Sequence, residues 1–126
     1  MLSSAAVVGF IPSRDLDRAR GFYEGVLGLR VRGVDPFALE LDANGTTVRV
    51  VCVTGVPDFR PQPFTILGWS VSDIGAAVLE LRERDVDFRR FPGMDQDELG
   101  IWTSPSGAKV AWFTDPDDNV LSVTEP

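Results

Sequence analysis

The chain has 126 residues, room for one domain with a buried core, and its 44% hydrophobic and 25% charged residues are typical of a globular protein. The net charge of −7 argues against nucleic acid and against anionic membrane surfaces as partners. The sequence has no histidine and one cysteine, which excludes Ser-His-Asp and Cys-His catalysis and leaves a transition metal little but carboxylate ligands.

We expect neither a membrane span nor a cleaved signal peptide in this sequence. No stretch reaches the roughly 20 apolar residues of a membrane span, and the N-terminus lacks the basic region of a signal peptide. A lone cysteine cannot form an internal disulfide, which fits a reducing compartment. We therefore expect a cytoplasmic protein without a membrane partner. Cys52 lies in the apolar run 50–53 and is expected to be a small buried side chain.

The first half of the chain reads as one strand, one helix and three further strands. A strand around residues 8–12 precedes a helix that begins near Asp15, and Gly28 is placed to end that helix. Strand-like segments follow at residues 30–34, 37–41 and 46–54, and Asn44-Gly45 predicts a tight hairpin between the last two. The helix is indicated by apolar residues spaced three and four apart, namely Leu16, Ala19, Phe22, Tyr23 and Val26.

The second half repeats this layout at an offset of 58 residues, so that Asp15 corresponds to Asp73. A strand at residues 66–70 leads to Ser72 or Asp73 as helix cap. Strands are predicted at residues 88–90, 100–103 with 109–114, and 120–124, after a proline-rich linker at residues 54–63. The sequence therefore predicts two βαβββ modules, residues 1–56 and 64–126, within one domain, residues 1–126. The helical residues of this half are Ile74, Ala77, Val78 and Leu81.

Two stretches resemble a known superfamily. Residues 14–23, Arg-Asp-Leu-Asp-Arg-Ala-Arg-Gly-Phe-Tyr, with Val26-Leu27-Gly28-Leu29, resemble the first-half signature of the glyoxalase/bleomycin-resistance/extradiol-dioxygenase (vicinal oxygen chelate) superfamily. Residues 111–121 are similar to its closing strand–turn–strand. The resemblance implies an α+β fold in which two tandem βαβββ modules form a curved, cup-like mixed sheet with the helices outside. It also implies a homodimer, which exposed sheet edges would favour.

The resemblance does not extend to the metal-binding residues of that superfamily. Its members usually hold a divalent metal with four His, Gln or Glu side chains, at the start of strands one and five and in the middle of strands four and eight. The corresponding residues in this chain are Val8, Ile66, Arg49 and Ser122. Such side chains do not bind a Lewis-acid metal, and an arginine repels one. We therefore predict no metal, no cofactor and no assigned catalytic residue.

A ligand site is still predicted on the face that these positions share. Strand alternation adds Phe10 and Ser70, and the superfamily pattern adds Trp112, with Trp102 on the neighbouring strand. Such a surface suits a flat organic molecule, unless the tryptophans only pack against each other. Arg49 either holds a carboxylate, pairs with Glu40 or extends its charged end to solvent. The predicted ligand-binding residues are Val8, Phe10, Arg49, Ile66, Ser70, Trp102, Trp112 and Ser122.

Three functions remain open at this point, and whether the protein is an enzyme stays undecided. The first is binding of a small organic molecule without a metal. The second is a metal-independent lyase or isomerase that acts on a small oxygenated acid. The third is a non-catalytic dimeric scaffold whose cup is filled by its own tryptophans. Asp115-x-Asp117-x-Asn119 resembles a calcium loop but lacks the downstream glutamate, so a turn is predicted there.

Overall fold

The computed structural model describes all residues from Met1 to Pro126. The chain divides into two compact units, Met1–Arg60 and Pro61–Pro126, and each contains one four-stranded sheet. None of the helices has the length and apolarity needed to cross a membrane.

The first unit is a mixed sheet with a crossover helix. After a 3₁₀ turn at Leu2–Ser4, its elements are β1 (Val8–Ser13), α1 (Leu16–Arg20), β2 (Arg30–Val34), β3 (Ala38–Ala43) and β4 (Thr46–Cys52). The strand order is β1-β4-β3-β2, with β1 parallel to β4 and the other pairs antiparallel. Asn44 and Gly45 adopt φ angles of 52° and 93°, which confirms the predicted tight hairpin between β3 and β4.

The second unit repeats this topology. Its elements are β5 (Thr65–Ser70), α2 (Ile74–Glu83), β6 (Trp102–Thr103), β7 (Lys109–Thr114) and β8 (Val120–Glu125). The order is β5-β8-β7-β6, and β5 is parallel to β8. The predicted α+β class and the tandem βαβββ modules are therefore confirmed.

Matching aspartates begin the two crossover helices, as the internal repeat predicts. Oδ1 of Asp15 accepts a hydrogen bond from the Arg18 N–H at 3.1 Å, and Oδ1 of Asp73 accepts one from the Ala76 N–H at 3.0 Å. Asp73, rather than Ser72, is therefore the cap of α2. Oε1 of Glu125 accepts a further bond from the Ile74 N–H, which ties the end of β8 to the start of α2.

The first helix is shorter than predicted. It ends at Arg20 and continues as a π-helical turn, Gly21–Val26, in which the Leu27 N–H donates to the Phe22 carbonyl at 2.9 Å. Two glycines within this turn weaken its preference for the tighter α-helix. The wider turn still buries Tyr23 completely, so the apolar spacing identified the right core residue on a different backbone.

Each helix covers one face of its own sheet. Trp69 stacks on Phe113 with ring centroids 6.3 Å apart, and Phe113 is buried, which confirms that Trp69 points to the helix-facing side. The buried residues of the first unit include Ile11, Ala19, Tyr23, Leu39, Leu41, Val48 and Val50. Those of the second unit include Ile74, Val78, Ala111, Phe113, Leu121 and Val123.

The predicted strand at residues 88–90 is wrong. Phe88 forms only an isolated bridge to Phe113, and the other end of the same edge of β7 is taken by β6, where Trp102 pairs with Val110. Two short segments thus share one strand edge, and residues 91–100 form a loop between them. Sequence alternation cannot show this division because it reports on side-chain faces and not on which segment fills an edge.

Cys52 is not fully buried, contrary to expectation. Its Sγ lies 3.2 Å from Oγ1 of Thr54, and the side chain is half-buried at the end of β4. Hydrogen bonding from the Thr54 hydroxyl and backbone lowers the pKa of the Cys52 thiol below its usual range.

The turn between β7 and β8 is held by one buried carboxylate. Oδ1 of Asp115 accepts from the N–H groups of Asp117 and Asn119 at 2.9 and 3.0 Å. Its Oδ2 accepts from Nδ2 of Asn119 at 2.8 Å, and Asp115 is only 4% exposed. The residues that looked like a calcium loop therefore form a turn, as predicted, and the carboxylate oxygens of Asp115 close it.

We expect Asp115→Ala to lower the free energy of unfolding by about 3 kcal/mol, because it leaves two buried N–H groups without an acceptor. Urea denaturation followed by tryptophan fluorescence measures this loss. Asp118→Asn is the control, since Asp118 is exposed and asparagine tolerates its φ of 65°. The control should change stability by less than about 0.5 kcal/mol. Equal losses for the two variants would contradict this account of the turn.

Candidate functional site

The uncovered face of the first sheet carries three of the predicted ligand-binding residues. Val48 and Val50 are buried, so Arg49 between them points to the opposite face. Phe10 is the register partner of Arg49 on β1 and is 63% exposed, while Val8 on the same strand is 43% exposed. The structure therefore places Val8, Phe10 and Arg49 on one face, as strand alternation predicted.

The Arg49 side chain does not form an ion pair with Glu40. The two residues are register partners across β3 and β4, but Nε of Arg49 is buried and has no hydrogen-bond partner. Nearby, Arg32 pairs with Asp42 at 2.9 Å. A hydrogen bond from the Gly45 N–H, together with Arg32, lowers the pKa of Asp42 below its usual range. The predicted Arg49–Glu40 pair is therefore not formed.

On the uncovered face of the second sheet, three residues form a row across the strands. Trp112 is the register partner of Ser122, and Ser122 is the partner of Gly68. A Cβ atom at Gly68 would lie 2.8 Å from Oγ of Ser122 and 3.3 Å from its carbonyl oxygen. A side chain at position 68 would therefore displace the Ser122 hydroxyl from its present position. Ser122 is only 6% exposed, and Ser70, two residues beyond Gly68, is exposed.

Ile66, which the superfamily resemblance assigned to the site, does not alternate regularly with Gly68 and Ser70. The pairing of β5 with β8 shifts register between Thr65 and Leu67, so Thr65 stands opposite Val120. Cγ2 of Thr65 lies 3.8 Å from the position of a Cβ at Gly68, which puts the Thr65 side chain on the uncovered face. A bulge of this kind re-aims side chains without a clear sequence signal. Thr65 therefore lines this face where Ile66 was predicted to do so.

Three aromatic rings cluster on the same face. The Trp112 ring lies edge-to-face with Phe91, with centroids 5.4 Å apart and planes at 88°. Trp102 lies on β6, the strand that pairs with the Trp112 strand β7, and the two indole ring centroids are 6.2 Å apart. All three side chains are half-buried, so each keeps surface in contact with solvent. The two tryptophans pack against each other, as the structural alternative proposed, without becoming fully buried.

A groove runs along this cluster in two adjoining chambers, which we call the aromatic groove. The apolar chamber, about 280 Å³, is lined by Pro63, Phe64, Thr65, Phe91, Met94, Trp112 and Val120. The polar chamber, about 350 Å³, is lined by Pro61, Gln62, Pro63, Arg89, Phe91, Thr114, Asp118 and Val120. Pro63, Phe91 and Val120 line both chambers, so the two chambers lie next to each other.

One wall of the aromatic groove is a loop held in place by Gln96. Its Oε1 accepts from the Phe91 N–H at 2.8 Å, and its Nε2 donates to the carbonyls of Arg89 and Gly100 at 2.9 and 2.8 Å. The Arg90 guanidinium adds hydrogen bonds to the carbonyls of residues 97 and 98. These bonds fix the loop that presents Phe91 and Met94 to the groove.

The four positions that would hold a metal do not fit one. Val8 and Ile66 offer no donor atom, and Arg49 is a cation. Ser122, together with Thr65 that lines the face in place of Ile66, supplies only neutral hydroxyls. Nor does any group of three or more cysteine, aspartate or glutamate side chains come together in a way that could hold a metal ion. A divalent cation is bound by anionic or neutral donors arranged around it, and this donor set supplies neither the number nor the charge.

Comparison with known proteins assigns the family. The sequence profile of the Glyoxalase/Bleomycin resistance protein/Dioxygenase superfamily matches residues 5–123. The chain belongs to this superfamily. No curated protein sequence matches it significantly. The assignment fits the two βαβββ modules, and the missing metal donors mark this chain as a superfamily member without the usual ligand set.

Several solved structures have the same fold. A superfamily member from Sphaerobacter thermophilus DSM 20745 shares 23% identity over all of both chains, with a TM-score of 0.75. A lactoylglutathione lyase from Agrobacterium tumefaciens shares 17% identity over 97% of this chain and 93% of its own, with a TM-score of 0.74. An antibiotic-binding protein from Streptomyces sp. CB03234 shares 25% identity over 100% and 98%, with a TM-score of 0.70.

The sequence did not reveal several residues that line the aromatic groove. Phe64 follows the proline-rich linker, Phe91 and Met94 flank Pro92-Gly93, and none of them lies in a regular strand. The available signal was the presence of large apolar side chains in segments rich in proline and glycine, where solvated residues are the norm. Of the predicted residues, only Trp112 lines the groove itself.

We expect Gln96→Ala to lower the free energy of unfolding by about 2 kcal/mol, because three backbone groups lose their side-chain partner. The same change should shift the indole N–H resonance of Trp112 in a ¹H–¹⁵N correlation spectrum, since the Phe91 ring is released. Gln62→Ala, at an exposed glutamine of the linker, is the matched control. A Gln96 variant as stable as this control would show that the loop is held by other contacts.

Proposed function

We propose that this protein binds a small, flat organic molecule in the aromatic groove, without a metal. The observation that carries the proposal is the position of Trp112, which lies between Phe91 and Trp102 and also lines the apolar chamber. A half-buried tryptophan with aromatic neighbours offers a flat apolar surface to a second ring system. Aromatic contacts of this kind contribute about 0.5–1.5 kcal/mol each beyond the area that they bury.

The lining of the groove supports an organic ligand over an ion or a macromolecule. Its apolar chamber joins aromatic, proline and methionine side chains with a single hydroxyl, from Thr65. Each chamber is near the lower limit of cavities that hold drug-sized molecules, about 300–1,000 Å³. A methionine at such a surface adapts its shape to different ligands because its side chain is unbranched.

Binding is favoured over catalysis by what lies beside the groove. A lyase or isomerase without a metal needs a titratable group directed at the bound molecule. The ionisable side chains at the groove are Arg89 and Asp118, which are exposed and lie next to each other. The 25% identity with an antibiotic-binding protein over the full chain supports the same choice, whereas the likeness to a lyase at 17% identity speaks only to the fold.

The proposal predicts which tryptophan responds to a ligand. The chain has three tryptophans, and their indole N–H signals report on separate places. Titration with 2-naphthol should shift the Trp112 signal saturably, with a smaller effect on Trp102. The Trp69 signal should stay in place, because Trp69 packs on Phe113 at the helix-facing side. Pyruvate, a small acid without a ring, should shift none of the three.

The control is Trp112→Phe, which removes the reporter and reduces the aromatic surface. Binding of 2-naphthol, measured by calorimetry, should weaken about three- to tenfold in this variant, as expected for the loss of one good aromatic contact. If 2-naphthol and related flat compounds shift no indole signal, the protein is the scaffold with a filled face. If pyruvate alone shifts an indole signal, the hypothesis of a lyase or isomerase that acts on a small oxygenated acid replaces the proposed binding of a flat molecule.

We further propose that the protein is a homodimer. In the first sheet β1 is an edge strand, and Phe10 and Phe37 are 63% and 75% exposed. A second copy would cover such edges and apolar side chains. Light scattering after size-exclusion chromatography should give twice the 13.8 kDa chain mass. Phe10→Ser should favour the monomer relative to Ala76→Ser, a control at an exposed position of α2. A parent protein that is monomeric at every concentration would refute the dimer.

A further inference from the structure

The two chambers of the aromatic groove differ in chemistry, and that difference constrains the ligand. The lining of the apolar chamber includes Trp112, Met94 and Phe64. The polar chamber brings Arg89, Asp118, Thr114 and Gln62 to its surface. A molecule that fills only the apolar chamber leaves these polar groups in water. A molecule that extends along the groove meets them with its other end.

The polar chamber has one cation and one anion, placed side by side. The Arg89 guanidinium lies 3.6 Å from Oδ1 of Asp118, and the two side chains are 51% and 74% exposed. The same guanidinium donates to Oγ1 of Thr114 at 3.3 Å. An ion pair this long and this exposed contributes little to stability, so both partners remain able to bind another group. The pair also cancels most of the field that either charge would exert alone.

The distance between the two chambers follows from the strand that joins them. Trp112 and Thr114 are two residues apart on β7, so their side chains share a face about 7 Å apart. The Arg89 N–H donates to the Trp112 carbonyl at 2.7 Å, which fixes the start of the Arg89 side chain against that strand. The arrangement of ring surface and charged pair is therefore set by backbone hydrogen bonds.

We infer that the ligand carries, beside its flat ring, an uncharged arm with both a hydrogen-bond acceptor and a donor, such as an amide. The acceptor takes a bond from Arg89 and the donor gives one to Asp118. This inference rests on the proposed function and narrows it to a chemical class. An anionic arm would gain Arg89 but face Asp118, and a cationic arm would gain Asp118 but face Arg89. An amide meets neither repulsion.

Four naphthalene probes test this specificity by calorimetry. They are 2-naphthoylglycinamide with a neutral arm, 2-naphthoylglycine with an anionic arm, N-(2-aminoethyl)-2-naphthamide with a cationic arm, and 2-methylnaphthalene with no arm. In the parent protein the neutral arm should bind most tightly, by about three- to tenfold over the armless probe, since one or two hydrogen bonds are added.

The decisive variants are Arg89→Met and Asp118→Asn. Arg89→Met should favour the cationic over the anionic probe, and Asp118→Asn should reverse that order. Each variant should bind the neutral probe about threefold or more weakly than the parent protein does. The ratio of its affinities for the neutral and armless probes should fall by the same factor. The armless probe should bind all variants equally. Arg82→Met and Asp87→Asn, at exposed charges elsewhere in the second unit, are the charge-matched controls and should change no preference.

The outcomes separate this inference from the proposed function. If no probe binds and no Trp112 signal shifts, the proposed function fails. If all probes bind equally and the two variants change nothing, the groove binds rings but the inference about the arm is overturned. A charged probe that binds the parent protein more tightly than the neutral one would also overturn it. Arg89→Lys keeps the positive charge but loses the planar guanidinium group. If this variant still prefers the neutral probe, the charge of residue 89 alone accounts for that preference.

Discussion

Each half of this protein is organised by the parallel pairing of its first and last strands, β1 with β4 and β5 with β8. Parallel strands that lie side by side require a crossover connection, and here the crossover begins with a helix capped by an aspartate. The helix covers one face of the sheet, so apolar residues alternate toward it and the opposite face is left for other contacts. The ligand site that we propose depends on that division.

Small structural features shape the uncovered face of the second sheet, where we propose that a ligand binds. Gly68 leaves space for the Ser122 hydroxyl, a bulge turns Thr65 onto the face, and the loop held by Gln96 brings Phe91 against Trp112. An aromatic surface of this kind supplies affinity through dispersion and desolvation. A metal site would instead need several negative or neutral donors directed at one point, which these side chains do not provide.

The uncovered faces of the two halves differ in how an arginine side chain is paired, and Arg49 in the first half has no ion pair. In the first unit a buried guanidinium nitrogen lies without a partner beside the exposed Phe10. In the second unit the guanidinium of Arg89 is exposed and lies beside a carboxylate. The duplicated topology therefore carries two different surfaces. Divergence of this kind is expected where the fold is maintained by apolar alternation and by helix caps, which leave the opposite face free to vary.

The sequence by itself determined the modules and most strand positions. Apolar periodicity, the two capping aspartates and the Asn44-Gly45 turn are local signals, and each acts within a few residues of the structure that it specifies. The apolar-x-apolar pattern around Arg49 placed that residue on an uncovered face, and the resemblance to the superfamily placed Trp112 on one. The same resemblance pointed to the four positions of the metal site, and the residue types found there showed that the usual donors are missing.

Only the tertiary structure decided how the loops complete the groove. Phe91 and Met94 reach Trp112 through hydrogen bonds that join residues four to eight apart around Gln96 and Arg90. The sharing of the β7 edge between Phe88 and Trp102, and the bulge that replaced Ile66 by Thr65, follow from competition among segments for the same strand partner. Such competition is settled by the free energy of the whole packed unit, which no window of sequence contains.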